Sequence, residues 1–100
     1  MVFDISKVTG LGEYTEKIES ENDPSKERKL YLKDEKVFLV VNKNTLEVRT
    51  DNKLAKLLTE KYESVMESRY FGRGGIEIVL SSQLEDDELY DLVRLSYNLS

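Results

Sequence analysis

Three short apolar segments joined by very short turns most constrain the fold. The segments are 29–33, 36–41 and 45–49, and the turns between them, Asp34-Glu35 and 42–44, contain two and three residues. Turns of this length can join antiparallel strands, whereas a parallel connection needs a crossover of about a dozen residues or more. The sequence therefore predicts an antiparallel meander of three strands.

A helix is predicted directly after the meander. Thr50 or Asp51 can accept hydrogen bonds from the first free amides of such a helix. An apolar stripe then runs at helical spacing, and the helix is expected to end before Phe71. The stripe consists of Leu54, Leu57, Leu58, Tyr62 and Val65.

A further strand and helix complete the pattern. Segment 76–80 alternates apolar and polar residues, with Glu77 expected to face outward. Ser82 and Glu85 have the spacing of a capping box, and the acids of 85–88 suit the positive end of a helix dipole. Leu89, Leu92, Val93 and Tyr97 give that helix an apolar stripe.

The fold class predicted from these elements is α+β, with a twisted antiparallel sheet packed against helices. The expected order is (α)-β-β-β-α-β-α in a single domain over residues 1–100. Residues 1–28 are poorly predicted: a short turn or helix is expected first, followed by an exposed loop around Pro24.

Composition excludes several chemistries. The chain contains no cysteine and no histidine, which removes thiol nucleophiles, zinc-thiolate sites and the usual general base. Ser–Lys or paired-carboxylate catalysis stays open in principle, but we expect a non-enzymatic protein without a cofactor or metal. No segment has the roughly 20 apolar residues of a membrane span, so a soluble, cytoplasmic protein is expected.

Charge is unevenly distributed along the chain. The net charge is −5, yet Lys26 to Lys61 contains ten basic and six acidic residues. A basic hairpin could contact the phosphates of nucleic acid, although lysines on strands also protect sheet edges and keep domains soluble. The candidate contacts are Lys26, Arg28, Lys29, Lys33, Lys36, Lys43, Arg69 and Arg73.

The segment Gly72-Arg73-Gly74-Gly75 has two interpretations. It is most simply a turn between a helix and a strand, since it lacks the lysine and the strand-before, helix-after context of a phosphate loop. Alternatively, Arg69 and Arg73 could bind an anion there. Tyr70 borders the glycines and is a candidate pocket residue, whereas the other helical tyrosines are expected in the core.

The stretch from Lys29 onward resembles the MmcQ/YjbR family. The resemblance rests on 69–80, a glycine- and arginine-containing segment followed by a strand, on the acidic helix start at 85–89, and on the closing Leu92 to Leu99. It implies a two-layer α+β fold similar to frataxin-like and secretion-chaperone-like domains. Ile76 stands where the family usually has tryptophan, so no role for that aromatic is transferred.

Two functions are expected from the charge pattern and the resemblance. Family members are described as putative DNA-binding proteins with a double wing, because two hairpins can be likened to paired wings. Weak DNA binding through the basic hairpin is therefore the first expectation. The alternative is a protein-interaction module or homodimer that uses the sheet face or edge, and a small ligand between helix and sheet is a third possibility.

Overall fold

The computed structural model describes residues 3–19, 27–80 and 84–100. It contains a six-stranded sheet, two α-helices and a short 3-10 turn at Ile5–Lys7. The strands are β1 (Thr15–Glu19), β2 (Arg28–Lys33), β3 (Lys36–Val41), β4 (Thr45–Arg49), β5 (Val65–Ser68) and β6 (Gly72–Val79), and the helices are α1 (Asn52–Lys61) and α2 (Asp86–Leu99).

All strands of the sheet are antiparallel to their neighbours, in the order β1-β2-β3-β4-β6-β5. The predicted fold class is confirmed, as is the meander β2-β3-β4. Its first turn is tight, because Asp34 and Glu35 both have positive φ (49° and 68°), as a two-residue hairpin of the favoured twist requires.

The sequence patterns did not predict two of the strands, β1 and β5. β1 lies in the segment expected to form a turn or helix, and its five residues pair with β2 from Thr15↔Leu32 to Glu19↔Arg28. β5 lies where α1 was expected to continue: the helix stops at Lys61, and Tyr62 already has an extended backbone (φ −123°, ψ 126°). Val65 therefore belongs to a strand, where it is buried against the core.

The glycine segment also differs from its expected structure. Gly72 to Gly75 begin β6 instead of forming a turn, and the turn lies earlier, over residues 69–71. The register shifts between Glu67, which pairs with Ile76, and Ser68, which pairs with Gly72. β6 therefore begins at Gly72, four residues before the predicted strand 76–80.

Helix starts follow the predicted chemistry only in part. Asp51 caps α1, because its Oδ1 accepts a hydrogen bond from the Leu54 amide (2.7 Å). At α2 the cap is Glu85, which makes no side-chain capping bond. Ser82, the proposed partner of the capping box, lies outside the described residues. The acids at 86–88 do occupy the first turn of α2.

The core lies between one face of the sheet and the two helices. Leu46, Val48, Ile76 and Ile78 of the central strands are at most 1% exposed, and α2 adds the buried Leu89 and Val93. Helix α2 packs on β3 and β4, whereas α1 packs on β5 and β6.

A bulge in β3 adds an aromatic residue to this core. Tyr31 pairs with Leu39 and Leu32 pairs with Val37, so Phe38 is the extra residue. The Phe38 ring meets the ring of Tyr97 edge-on at 5.0 Å. Ser96 fastens α2 to the same strands, since its hydroxyl donates to the Phe38 carbonyl and accepts from the Arg49 amide.

No helix within the described part of the chain is both long enough and apolar enough to span a bilayer.

Candidate functional site

The two faces of the sheet carry different side chains, as two neighbouring rows of paired residues across the strands show. Successive side chains of a strand point to opposite faces, and the register therefore assigns each row to one face. The row that faces the helices is Glu16, Tyr31, Leu39, Val48, Ile76 and Glu67. The adjacent row, on the face that we call the open face, is Lys17, Leu30, Val40, Glu47, Glu77 and Met66.

A cleft of about 700 Å³ lies on the open face. Strands β4 and β6 provide its floor, while the β3-β4 turn, the β5-β6 turn and the neighbouring ends of β1 and β2 provide its rim. The lining residues are Glu19, Glu27, Arg28, Asn42, Lys43, Asn44, Thr45, Glu47, Arg69, Tyr70 and Glu77.

Glu47 is a buried carboxylate at the floor of this cleft, only 2% exposed. Its Oε1 accepts hydrogen bonds from the Ser68 hydroxyl (2.9 Å) and the Tyr70 amide (3.0 Å), and its Oε2 accepts one from Asn42 Nδ2 (2.9 Å). Burial alone would raise the pKa of Glu47, but these donors and the charge of Arg69 together hold the pKa below its ordinary value. Glu47 is therefore ionised at neutral pH.

Glu77 lies directly across from Glu47 and is equally buried. Arg69 donates to it twice, from Nε (3.0 Å) and from Nη2 (2.9 Å), and Thr45 Oγ1 donates at 2.8 Å. The hydrogen bond to Glu77 is also the largest reason that the pKa of Arg69 is raised. Glu77 thus lies on the face away from the helices, as expected, but its side chain is buried, whereas an outward-facing and exposed side chain was expected.

These two carboxylates hold the β5-β6 turn against the sheet. The Ser68 hydroxyl, which donates to Glu47, also accepts from the amides of Tyr70 (3.1 Å) and Phe71 (2.9 Å). Gly75 makes room for the turn, because a Cβ there would lie 2.5 Å from Phe71 Cβ and 2.8 Å from the Val48 carbonyl oxygen. The turn that carries Arg69 and Tyr70 is therefore fixed at several points.

Four of the predicted site residues meet at the rim of the cleft: Arg28, Lys43, Arg69 and Tyr70. Arg28 forms an ion pair with Glu19 (2.8 Å) and lies 5.3 Å from the centre of the Tyr70 ring. The Arg69 side chain is 80% exposed even though it binds Glu77, and Tyr70 is 39% exposed.

The remaining predicted cations lie elsewhere. Lys33 donates to the Tyr97 carbonyl at the end of α2 (3.2 Å), and Lys29 is 3.8 Å from Glu16 on the same side of the sheet. Lys36 is exposed at the start of β3, and Arg73 lines a separate cavity of about 310 Å³ beside α1. Lys26 lies outside the described residues. The basic set thus occupies several surfaces.

The rim of the cleft carries both donors and acceptors: besides its cations, Glu27 is exposed there, and Glu19 is partly exposed and paired with Arg28. The guanidinium, ammonium and phenol groups are at the rim, while the floor carboxylates are buried and already hydrogen-bonded. Arg28, Lys43 and Arg69 are the groups at this rim that could donate to an anion. Over residues 3–19, 27–80 and 84–100, the acidic side chains do not form a group of three that could hold a metal ion.

The sequence predicted functional residues at the rim of the cleft but none of those at its floor. Asn42, Thr45 and Glu47 were expected only as turn or strand residues, and Ser68 fell within the predicted helix. The one available signal is that Glu47 and Glu77 each stand between apolar neighbours in a strand, a pattern that is equally typical of solvent-facing positions.

Comparison with known proteins adds information on the fold. No protein-family model and no curated protein matches this chain. A crystal structure of a protein from Pseudomonas syringae, a structural-genomics target, is similar with a TM-score of 0.71. The match covers 86% of each chain at 14% sequence identity, and at this identity it shows a shared fold alone.

Proposed function

We propose that this chain is a non-enzymatic domain that binds nucleic acid weakly through the rim of the open-face cleft. Arg28, Lys43 and Arg69 would contact phosphates, and Tyr70 would lie against a sugar or a base. The observation that carries the proposal is the meeting of three cations and the exposed Tyr70 ring at one rim, above floor carboxylates that are already hydrogen-bonded.

Pre-organisation of the guanidiniums supports phosphate binding. Arginine has five N–H donors in a planar fork, and the carboxylate of Glu77 takes two of those of Arg69. The carboxylate fixes the orientation of the group, so less side-chain entropy is lost when the outer donors bind an anion. Glu19 holds Arg28 in a similar manner through Nη2.

The charge balance of the cleft explains why the binding would be weak. Three cations and four carboxylates line it, a formal charge of −1, and the whole chain carries −5. Long-range electrostatics therefore oppose the approach of a polyanion, and the affinity depends on short-range contacts. Cations interleaved with an exposed aromatic ring are typical of surfaces that contact nucleic acid.

The family resemblance supports the same proposal. As an MmcQ/YjbR-like, double-wing protein, the chain would present two hairpins, β2-β3 and β5-β6, and each contributes a rim residue to the cleft (Arg28 and Arg69). A cytoplasmic location would accompany this function.

A titration with fluorescent duplex DNA tests the proposal. The wild type should bind at low salt and weaken at physiological salt, with a slope of about −0.9 in log affinity against log salt for each phosphate contacted. Lys43→Ala should reduce that slope by about one. Lys36→Ala is the matched control, because Lys36 is also exposed but does not line the cleft.

Two results would contradict the proposal. One is the absence of binding by the wild type at low salt. The other is an equal loss of affinity in Lys43→Ala and Lys36→Ala, which would show that the charges act without regard to the cleft.

The second candidate function is a protein-interaction module, and one observation favours it. β1 is an edge strand of the sheet, and four of its five residues are exposed. The free edge of β1 and the cleft are neighbouring surfaces that share only Glu19 among the residues of β1.

A further inference from the structure

The two edges of the sheet differ in how they are protected. At one edge, β5 is packed against α1, and its first and last residues, Val65 and Ser68, are buried. At the other edge, β1 exposes Thr15, Glu16, Lys17 and Ile18. Ile18 is 55% exposed, among the largest values for apolar side chains in the described residues. An edge of this kind can accept another strand through its main chain.

The side chains of β1 are divided between the two faces of the sheet. Ile18 pairs with Lys29 and lies on the side of the helices, in alternation with Lys17 and Glu19 on the open face. Lys17 and Glu19 have opposite charges and are separated by one residue. A strand with this pattern is complementary to itself when it is reversed.

We infer that β1 pairs antiparallel with β1 of a second copy of this chain, around a two-fold axis at Ile18. In this register Ile18 lies opposite Ile18 of the second copy, so two exposed apolar side chains cover each other. On the open face, Lys17 of each copy lies opposite Glu19 of the other, which gives two oppositely charged cross-strand pairs.

Two neighbouring symmetric registers are electrostatically poorer. Residues that lie opposite each other in an antiparallel pair point to the same face of the sheet. A two-fold axis perpendicular to the sheet must therefore lie between the two copies of one β1 residue. Centring on Lys17 would place two lysines opposite each other, and centring on Glu16 would place two glutamates there. The Ile18 register avoids both repulsions.

The pairing would also affect the cleft. Glu19 is the carboxylate that holds Arg28 at the rim, and Lys17 of the second copy would approach it. The two six-stranded sheets would join edge to edge with their open faces on one side. Two clefts would then face the same way, although the inference itself specifies the protein-interaction candidate and does not depend on nucleic acid binding.

The size of the contact sets the expected strength. Each copy contributes a strand of only five residues, so the interface belongs to the small, weak class. We expect a monomer at low concentration and a dimer at high concentration.

Sedimentation equilibrium over a wide concentration range tests the inference. Ile18→Lys places two like charges at the axis and should raise the dimer dissociation constant at least tenfold. Leu57→Lys is the matched control, because Leu57 is 59% exposed on α1, away from β1, and it should leave the constant unchanged. Circular dichroism would check that both variants are folded.

Charge exchange tests the register. Lys17→Glu should weaken the dimer because it places glutamate opposite Glu19 of the second copy, whereas Lys17→Arg keeps the charge and should leave the dimer unchanged. The chain has no cysteine, so Ile18→Cys should give an oxidised dimer whereas Leu57→Cys should not.

Three outcomes would overturn the inference. A wild type that stays monomeric at the highest concentration would exclude self-association. A dimer that Ile18→Lys leaves unchanged would place the contact elsewhere, and a dimer that Lys17→Glu weakens no more than Lys17→Arg does would exclude this register. None of these outcomes bears on DNA binding by Lys43 and Arg69.

Discussion

The helix side and the open side of β4 and β6 reach the same burial by different means. Ile76 and Ile78 are buried in hydrocarbon beneath the helices, whereas Glu77, which stands between them, is just as buried beneath the β5-β6 turn. Glu47 repeats this arrangement between Leu46 and Val48. On the helix side, burial of apolar side chains stabilises the fold directly. On the open side, the buried carboxylates position the exposed Arg69 and Tyr70.

The largest effect is expected on the helix side. Ile78→Ala removes a side chain that is 1% exposed and leaves a cavity, so the free energy of unfolding should fall by about 2–5 kcal/mol. Urea denaturation measures this change. Leu57→Ala on the exposed face of α1 is the control, for which a change within about 0.5 kcal/mol is expected. Equal effects would mean that the assignment of the core is wrong.

On the open side a smaller loss of stability should accompany a local change. Glu47→Ala removes the acceptor of the Ser68 hydroxyl and one of two acceptors each from the Tyr70 backbone amide and Asn42 Nδ2, which keep Ser68 Oγ and Thr45 Oγ1. The expected cost is about 1–3 kcal/mol. Hydrogen exchange of the Tyr70 amide should become faster, because the turn loses an anchor.

The control for this variant is Glu67→Ala. Glu67 is an exposed glutamate on β5, and its removal should leave both stability and the Tyr70 amide nearly unchanged. A Glu47→Ala protein that keeps a slowly exchanging Tyr70 amide would contradict the proposed anchoring of the turn.

The smallest effect is a contribution of Glu47 to acid sensitivity. The pKa of Glu47 is lower in the folded protein than in the unfolded chain. Between these two pKa values the unfolded chain therefore binds more protons than the folded protein. The stabilisation is complete above the unfolded pKa, near 4.5, and is lost as the pH falls through the folded pKa. Glu47→Gln should therefore lose less stability than the wild type when the pH is lowered below that value.

Unfolding by urea at several pH values measures this difference. Asp4, whose carboxyl pKa is also lowered, accepts a hydrogen bond from the Ser6 amide and is unchanged by the substitution, so its contribution cancels in the comparison. Identical pH profiles for the two proteins would mean that Glu47 is not stabilised in its charged form.

Sequence patterns predicted what local chemistry determines and missed what distant contacts determine. The turns at Asp34-Glu35 and after Val41, the Asp51 cap and the stripe of α2 all follow from neighbouring residues. β1 and β5 were missed because their few residues become strands only through pairing with β2 and β6.

The candidate site shows the same division. Arg28, Lys43, Arg69 and Tyr70 were selected for their chemistry, but their meeting at one cleft depends on a sheet order that brings β6 beside β4. The burial of Glu77 depends on Arg69 folding back over it, and its neighbours in the sequence do not encode that contact. The dispersal of Lys29, Lys33, Lys36 and Arg73 likewise follows from the register.

Amide chemical-shift mapping with a short oligonucleotide at low salt tests the central claim most directly. If the cleft is the binding surface, the largest shifts will cluster at Arg28, at 42–45, and at Arg69 and Tyr70. The claim would be contradicted if saturating oligonucleotide shifted none of these amides, or if the shifts centred on Lys36 or on Arg73.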